Sequence, residues 1–193
     1  MAEDVPAQPS AARPTKPTPG GPPVVFILDV DGVMTDGQQY YTAEGKVMKR
    51  FGPDDHDALS LLKNDLEIRF VSGDGRGFEI SRRRIEIDMK FPIDLVSTIR
   101  RTAWIAERYP LDRVIYMGDG IFDALVFRRV GYAIAPADAD PLALRTADFV
   151  TTRKGGHRAV AEACLHVKER FFEPLDLFAL EGSATTVSDT WTA

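Results

Sequence analysis

Cysteine and histidine are scarce in this chain of 193 residues, and their scarcity argues against two kinds of site. The single cysteine, Cys164, permits no internal disulfide, and its place in a helical pattern indicates a buried thiol. The three histidines, His56, His157 and His166, are scattered along the chain, which argues against a histidine-based metal centre. A reducing compartment is the simplest environment for such a chain.

Long apolar runs are also missing, and none approaches the roughly 20 residues that span a bilayer. The N-terminus lacks the apolar core of a signal peptide. The net charge of −5 argues against nucleic acid as a partner. We therefore expect a cytoplasmic protein that binds neither a membrane nor nucleic acid.

Two common catalytic motifs are absent as well. The sequence contains no Gly-x-x-x-x-Gly-Lys-Ser/Thr loop, the backbone cradle with which many nucleotide hydrolases hold phosphate. Ser72 is not part of a Gly-x-Ser-x-Gly elbow, the turn that exposes the nucleophile of serine hydrolases. Any catalytic chemistry must therefore come from other groups.

The two ends of the chain have little that could form a core. Residues 1–22 consist mainly of Pro, Ala, Gly and Thr, and they cannot bury enough apolar surface to offset the entropy cost of ordering. Residues 173–193 lose helical periodicity. We predict a disordered N-terminal tail over 1–22, one folded domain over 23–172 and a C-terminal tail over 173–193.

The strongest pattern in the chain lies between Val24 and Gly37. Five apolar residues run into Asp29, and a second carboxylate, Asp31, and a glycine follow at once. A short apolar run that ends in a turn is typical of a buried parallel strand. Ligands bind at the carboxyl ends of such strands in open α/β sheets, so the two acids are candidates for a site.

Further along the chain, strands and helices alternate, which predicts a parallel sheet between two layers of helices. Directly after the first strand, two short segments flank Ala43-Glu44-Gly45-Lys46 and predict a β-hairpin outside the main sheet. The predicted strands are Val24–Leu28, the hairpin strands Tyr40–Thr42 and Val47–Phe51, Ile68–Val71, a weak one at Asp88–Ile93, Arg113–Met117, Tyr132–Ala135 and Phe149–Val150. The first predicted helix begins at Asp54 or Asp55. The next three cover Phe78–Ile85, Leu95–Tyr109 and Phe122–Val130, and the last carries the residues from Ala159 to Val167.

The fold class that follows is α/β, with a three-layer, Rossmann-like parallel sheet and a β-hairpin insertion after the first strand. The gap between Gly37 and Asp55 has room for a hairpin only. The gap between Ser72 and Arg100 has room for one helix and one short strand. Neither gap can hold a separate cap domain.

Polar groups follow three of the predicted strands, and a parallel sheet brings its strand ends to one edge. The groups are Asp29-Val-Asp31, Ser72-Gly73 and Gly118-Asp119 with Asp123. Three carboxylates and a hydroxyl would then converge, and hard oxygen ligands of this kind suit Mg²⁺ better than zinc. The sequence therefore predicts a magnesium site.

These residues resemble the motifs of the haloacid dehalogenase superfamily. Asp29-Val-Asp31-Gly32-Val-Met-Thr35 is similar to its first motif, Val71-Ser72-Gly73 to its second, and Gly118-Asp119-Gly-Ile-Phe-Asp123 to its fourth. The resemblance covers about residues 24–172. It is closer to the capless 3-deoxy-D-manno-octulosonate 8-phosphate phosphatases, on the stretch DVDGVMTDG, the hairpin ending in Lys49-Arg-Phe51, and Thr151-Thr-Arg-Lys-Gly155-Gly156.

The resemblance implies a role for each matching residue. Asp29 would be the nucleophile and form an aspartyl-phosphate, while Asp31 would protonate the leaving oxygen and then activate water. Mg²⁺ would be bound by the carboxylates of Asp29 and Asp119 and by the carbonyl of Asp31. The remaining roles are phosphate binding by Ser72 and by the amides near Gly32 and Gly73, and orientation of Asp119 or of a cation by Asp123.

The third motif of the superfamily supplies a lysine or arginine at the start of the helix before the fourth motif. Arg100 fits this place best, and Arg101 and Lys90 are rivals. Departures occur elsewhere too: His157-Arg158 and Ala161 differ from the pattern of the octulosonate phosphatases, as does Asp55-His56. The identity of the substrate therefore stays open.

The resemblance implies a Mg²⁺-dependent phosphatase of a small phosphorylated sugar or sugar acid. One alternative is a phosphatase of a nucleotide or nucleoside phosphate in specialised metabolism. Another is a non-catalytic oligomeric scaffold that keeps the fold. The resembling group also implies a homotetramer built on the hairpin, because a capless site needs a neighbouring subunit to exclude water.

Overall fold

The computed structural model of the protein describes residues 20–174. Its eight strands are β1 (Val25–Asp29), β2 (Thr35–Thr42), β3 (Gly45–Phe51), β4 (Glu67–Ser72), β5 (Ile93–Leu95), β6 (Val114–Met117), β7 (Tyr132–Ala135) and β8 (Phe149–Val150). Six of them form one parallel sheet in the order β5-β4-β1-β6-β7-β8. The Rossmann-like α/β fold that the sequence predicts is confirmed.

The described residues contain six α-helices. They are α1 (Asp55–Leu62), α2 (Phe78–Arg82), α3 (Arg101–Ala106), α4 (Asp123–Phe127), α5 (Pro141–Thr146) and α6 (Ala159–Phe171). All of them except α2 contribute to the core on the two faces of this sheet. A π-helical segment, Arg83–Asp88, continues α2, and a 3₁₀ turn, Thr98–Arg100, leads into α3. Within the described residues, no helix is long and apolar enough to cross a membrane.

Alternation along the central strands divides the core into two clusters, one on each face of the sheet. Phe26 and Leu28 of β1 pack in the cluster that α1 and α6 cover, whereas Val25 and Ile27 pack in the one beneath α3, α4 and α5. This is the two-residue period expected of a strand that is buried on both faces. Asp29, the last residue of β1, lies on the same face of the sheet as Val25 and Ile27.

The hairpin of β2 and β3 forms a separate two-stranded sheet beyond the carboxyl end of β1. Between residues 20 and 174 no segment builds a cap domain, as the gap lengths predict. Four large side chains of the hairpin are 41–54% exposed: Tyr40, Tyr41, Val47 and Met48. The hairpin therefore presents an apolar surface that residues 20–174 leave exposed.

Some predicted boundaries differ from the structure. The prediction of a weak strand at Asp88–Ile93 is wrong, because Met89 and Phe91 enter the core from a loop and β5 starts only at Ile93. Helix α5 was not predicted. It is short, and Pro141 stands at its start, where a proline is tolerated because the first amides of a helix have no partner there.

The predicted tails fall mostly outside the described residues. At the N-terminal side, Gly20 donates its amide to Asp112 Oδ2 at 2.9 Å, and the Pro22 carbonyl accepts from Arg113 Nε at 2.9 Å. Residues 20–22 thus contact the domain, and the division of the chain at residue 22 stays a prediction. The prediction of disorder for 1–19 and of a tail over 175–193 lies outside the described residues.

Candidate active site

The site lies where three neighbouring parallel strands end. Because β1 pairs with β4 on one side and with β6 on the other, Asp29 comes between Ser72 and the Gly118-Asp119 turn. Sequence analysis predicts this convergence. The topology places the three polar segments side by side at one edge of the sheet.

Arg101 is bound to the carboxylate of Asp29 by both of its terminal nitrogens. Its Nη1 donates to Asp29 Oδ2 at 2.7 Å, and its Nη2 donates to Oδ1 at 3.0 Å. The Arg101 side chain is only 2% exposed, so this two-point ion pair is shielded from water. The arrangement fixes the orientation of the Asp29 carboxylate.

Of the three candidates for the third-motif cation, Arg101 is the one that contacts Asp29. Arg100 is the last residue of the 3₁₀ turn and is exposed, and Lys90 is exposed on a loop with a positive φ of 64°. Successive residues of a helix point about 100° apart, so only one of two adjacent arginines can face the sheet. Arg101 faces the sheet and Arg100 does not, so the geometry favours the rival over the predicted Arg100.

Asp123 holds the Asp119 turn and Arg101 together. Its Oδ2 accepts the amides of Asp119 and Gly120 at 3.1 and 2.9 Å, and its Oδ1 accepts from Arg101 Nη1 at 2.9 Å. Tyr116 donates its hydroxyl to the same Oδ1 at 2.6 Å. With four donors around it, the Asp123 carboxylate fixes the position of the Asp119 turn relative to Arg101.

The carboxylate of Asp119 stands directly against Gly32. A Cβ atom at position 32 would come within 2.0 Å of Asp119 Oδ2, and Gly32 has a φ of 80° that side chains rarely adopt. The glycine therefore lets the two loops approach each other. Carboxylate oxygens of Asp29, Asp119 and Asp123 lie within 4.8 Å of one another.

The electrostatics of this cluster fit a divalent cation. Burial raises the pKa of Asp29 to about 7, although Arg101 opposes the shift. Burial, followed by the proximity of Asp29 and Asp123, raises the pKa of Asp119 to about 8. Three carboxylates face one guanidinium, and hard oxygen donors with surplus negative charge suit Mg²⁺.

Asp31 lies past the end of β1 with its side chain 23% exposed. Ser72 Oγ is 3.4 Å from Asp31 Oδ2, and it accepts the amide of Asp74 at 3.2 Å. The amide of Gly32, expected at a phosphate oxygen, donates to Thr35 Oγ1 at 3.2 Å. Gly73 packs beside Arg101, because a Cβ there would lie 3.5 Å from Arg101 Nη2.

Sequence reasoning missed two residues of this site. Tyr116 sits inside an apolar strand, where its hydroxyl gives no pattern of its own. Lys49 was noted only as part of the hairpin, yet its Nζ lies 2.7 Å from Asp31 Oδ1. The contact joins residues 18 positions apart on different elements, so no local spacing could predict it.

Comparisons with known proteins agree with this geometry. The chain is 31% identical over 147 residues to the 3-deoxy-D-manno-octulosonate 8-phosphate phosphatase of Escherichia coli K12, covering 72% of this chain and 76% of the relative. A crystal structure of the Moraxella catarrhalis phosphatase of the same name, in complex with magnesium, phosphate and KDO, superimposes with a TM-score of 0.67 at 27% identity. That match covers 76% of this chain and 86% of the other.

The cobalt-bound deoxy-D-mannose-octulosonate 8-phosphate phosphatase of Haemophilus influenzae gives the same TM-score of 0.67 at 27% identity. It covers 76% of this chain and 88% of the other. No family model matches the chain.

Proposed function

The chain belongs to the haloacid dehalogenase superfamily and, within it, to the 3-deoxy-D-manno-octulosonate 8-phosphate phosphatase group; from this premise we propose that it is a Mg²⁺-dependent phosphatase of a small phosphorylated sugar or sugar acid. Because the members of this group are phosphatases, the chain belongs to the phosphatase class of enzymes. The substrate, the metal and the mechanism are the proposal. The observation that carries it is the convergence of Asp29, Asp31 and Asp119 with Arg101 at three adjacent strand ends.

Asp29 is the nucleophile in this proposal. One of its oxygens attacks the phosphorus atom, the bond from phosphorus to the substrate oxygen breaks, and an aspartyl-phosphate forms. Arg101 keeps the Asp29 carboxylate in place, since it binds both oxygens from a buried position. The rigid attachment of Arg101 to Asp123 and Tyr116 preserves this geometry during the reaction.

Asp31 is the general acid and base. It gives a proton to the departing substrate oxygen, and it later takes a proton from the water that attacks the aspartyl-phosphate. The second step releases inorganic phosphate and regenerates Asp29. Ser72 lies beside Asp31 and is placed to hold a phosphate oxygen.

The residues that would hold the metal are Asp29 and Asp119 through their carboxylates and Asp31 through its carbonyl. Bound there, Mg²⁺ supplies positive charge that reduces the repulsion between the anionic nucleophile and the anionic phosphate. The raised pKa values of Asp29 and Asp119 support this assignment, because a cation would relieve the crowding of carboxylates.

The scaffold alternative rested on the doubtful third-motif cation. In this proposal Arg101 has that role, because it binds both oxygens of Asp29 from a buried position. This contact supports a phosphatase over a scaffold. No described contact favours a nucleotide or nucleoside phosphate over a sugar phosphate. The names of the relatives favour a sugar-acid phosphate of the 3-deoxy-D-manno-octulosonate 8-phosphate type.

The proposal extends to assembly and location. The exposed apolar side chains of the hairpin fit a homotetramer in which a neighbouring subunit covers the open site. The single cysteine fits a cytoplasmic protein.

The test is phosphate release by the purified protein over a panel of sugar phosphates, sugar-acid phosphates and nucleotides, with Mg²⁺ and with a chelator. We expect hydrolysis of a sugar-acid phosphate, lost on chelation and restored by Mg²⁺. Asp29→Asn should lower the rate by more than about 10²-fold, since the amide is a poor nucleophile, with an unchanged circular dichroism spectrum.

Three outcomes would contradict the proposal. A preference for nucleotides would overturn the substrate class. Activity undiminished by chelation would overturn the metal, and an active Asp29→Asn variant would overturn the covalent mechanism.

A further inference from the structure

The hairpin delivers a buried lysine to the active site. Lys49, on β3, has a side chain that is only 1% exposed. Its Nζ lies 2.7 and 3.0 Å from the two carboxylate oxygens of Asp31. The same nitrogen is 2.8 Å from Asp74 Oδ2 and donates to Ser81 Oγ at 2.9 Å.

These contacts occupy the whole ammonium group. A lysine has three donors, and Lys49 directs them at Asp31, Asp74 and Ser81. It therefore has none left to bind an anionic group of the substrate. Its chemical effect must pass through the groups that it already holds.

The other partners of Lys49 are themselves fixed. Asp74 accepts the amide of Gly77 at 3.1 Å and is also paired with Lys46 of the hairpin. Burial opposes ionisation of Asp74, but the hydrogen bonds from Lys46 and Lys49 lower its pKa to about 2. Ser81 is fully buried in α2. Lys49 is thus held in place by the loop after β4 and by α2.

Asp31 is the least restrained member of this cluster. It is in a loop, is partly exposed, and contacts Ser72 Oγ only at 3.4 Å. Of its described contacts, the one to Lys49 is the shortest. A carboxylate that must meet the departing oxygen needs a defined position, because proton transfer requires hydrogen-bond reach.

On the premise of the proposed function, we propose that Lys49 is a positioning residue, which holds the Asp31 side chain where it can protonate the departing oxygen. The hairpin is then part of the catalytic apparatus as well as a surface. A loss of Lys49 should impair proton donation more than any other step.

The need for that proton depends on the leaving group. When the phosphorus–oxygen bond of an alkyl phosphate breaks, the departing alkoxide is strongly basic and takes the proton of Asp31. The 4-nitrophenolate of an aryl phosphate is stable without a proton. The ratio of kcat/KM between a sugar phosphate and 4-nitrophenyl phosphate therefore reports proton donation, whereas damage to the nucleophile or the fold lowers both values.

The experiment compares Lys49→Met with the matched variant Lys46→Met. Both lysines lie on β3, both side chains are at most 2% exposed, and both contact Asp74, but only Lys49 contacts Asp31. Lys49→Met should lower the ratio by about 10-fold or more, which is part of the roughly 10²–10⁴-fold effect that a complete general acid supplies. Lys46→Met should leave the ratio within about twofold of the wild type.

A ratio unchanged in Lys49→Met, or lowered equally in both variants, would overturn the inference. If Lys49→Met does not fold, as thermal unfolding would show, Asp74→Asn carries the test. This variant keeps the shape of the Asp74 side chain and weakens its interaction with Lys49, so the ratio should fall as in Lys49→Met. An unchanged ratio would again overturn the inference. A wild-type protein that hydrolyses neither ester would instead contradict the proposed function.

Discussion

Arg101 carries the only cationic group bonded to Asp29 within the described part of the chain. Its replacement by alanine would leave Asp29 and Asp123 buried without their shared counter-charge. Breaking a buried pair in this way typically costs about 3–5 kcal/mol of stability. We expect Arg101→Ala to lose activity by at least about 10²-fold, measured as kcat, and to unfold at a lower temperature.

Arg100→Ala is the matched control, since it removes the same group from the adjacent position. Arg100 is exposed, so its loss should leave both activity and melting temperature close to those of the wild type. An equal loss in the two variants would contradict the assignment of Arg101.

Asp55 is a second buried acid, away from the proposed metal ligands. Its Oδ1 accepts the amide of Ala161 at 2.9 Å, but its Oδ2 has no hydrogen-bond partner among residues 20–174. Burial raises its pKa from 3.8 to about 6. The folded state therefore binds the proton more tightly than the unfolded state, and this contribution to stability is present below pH 4 and lost as the pH rises through 6.

Asp55→Asn should remove this pH dependence. Relative to the wild type, the variant should gain stability between pH 4.5 and 7.5, by an amount on the order of 2 kcal/mol. Urea unfolding at the two pH values measures the change. Asp57→Asn, an exposed acid in the same helix turn, is the control, and an identical pH profile for the two variants would rule out Asp55 as the source.

At the scale of the element, the strands near the centre of the sheet were the easiest to predict. β6 starts one residue later than predicted, β1 is shifted by one residue at both ends, and β7 has the predicted bounds, as does the edge strand β8. The apolar runs of β1, β6 and β7 end abruptly in polar turns because these strands are buried on both faces. The same abrupt ends revealed Asp29, Asp31 and Asp119.

Elements that depend on tertiary contacts were harder to predict. The π-helical segment after α2 is closed by amides of Met89 and Phe91 that bond back to Arg84 and Ile85, and no local pattern encodes this. The choice between Arg100 and Arg101 depends on the rotational phase of one 3₁₀ turn. Lys49 meets Asp31 only because the hairpin folds back over the strand end.

At the scale of the whole molecule, the hairpin should determine the assembly. An isolated two-stranded hairpin is marginal in water, and its exposed Tyr41 and Val47 need a surface to cover them. We expect the wild type to sediment as a tetramer at micromolar concentration. Tyr41→Asp and Val47→Asp should split it, because a charge is costly in an apolar contact, and should lower kcat as well.

Leu142→Asp is the control for this experiment. Leu142 is 39% exposed on α5 and belongs to neither strand of the hairpin, so a charge there should change neither sedimentation nor activity. A wild-type protein that is fully active as a monomer would contradict the assembly.

The placement of β1 between β4 and β6 has a consequence for local opening. Every residue of β1 is buried and the strand is paired on both sides, whereas β2 is mostly exposed and, of the strands that the structure describes, pairs with β3 alone. Amide hydrogens of Phe26 and Leu28 should therefore exchange with deuterium only when the whole domain unfolds, while those of the hairpin should exchange by local fraying. Asp29 would then lie at the end of the slowest-exchanging strand, a few residues from the fastest-exchanging segment. The exchange rate of the hairpin amides would report directly on subunit contact.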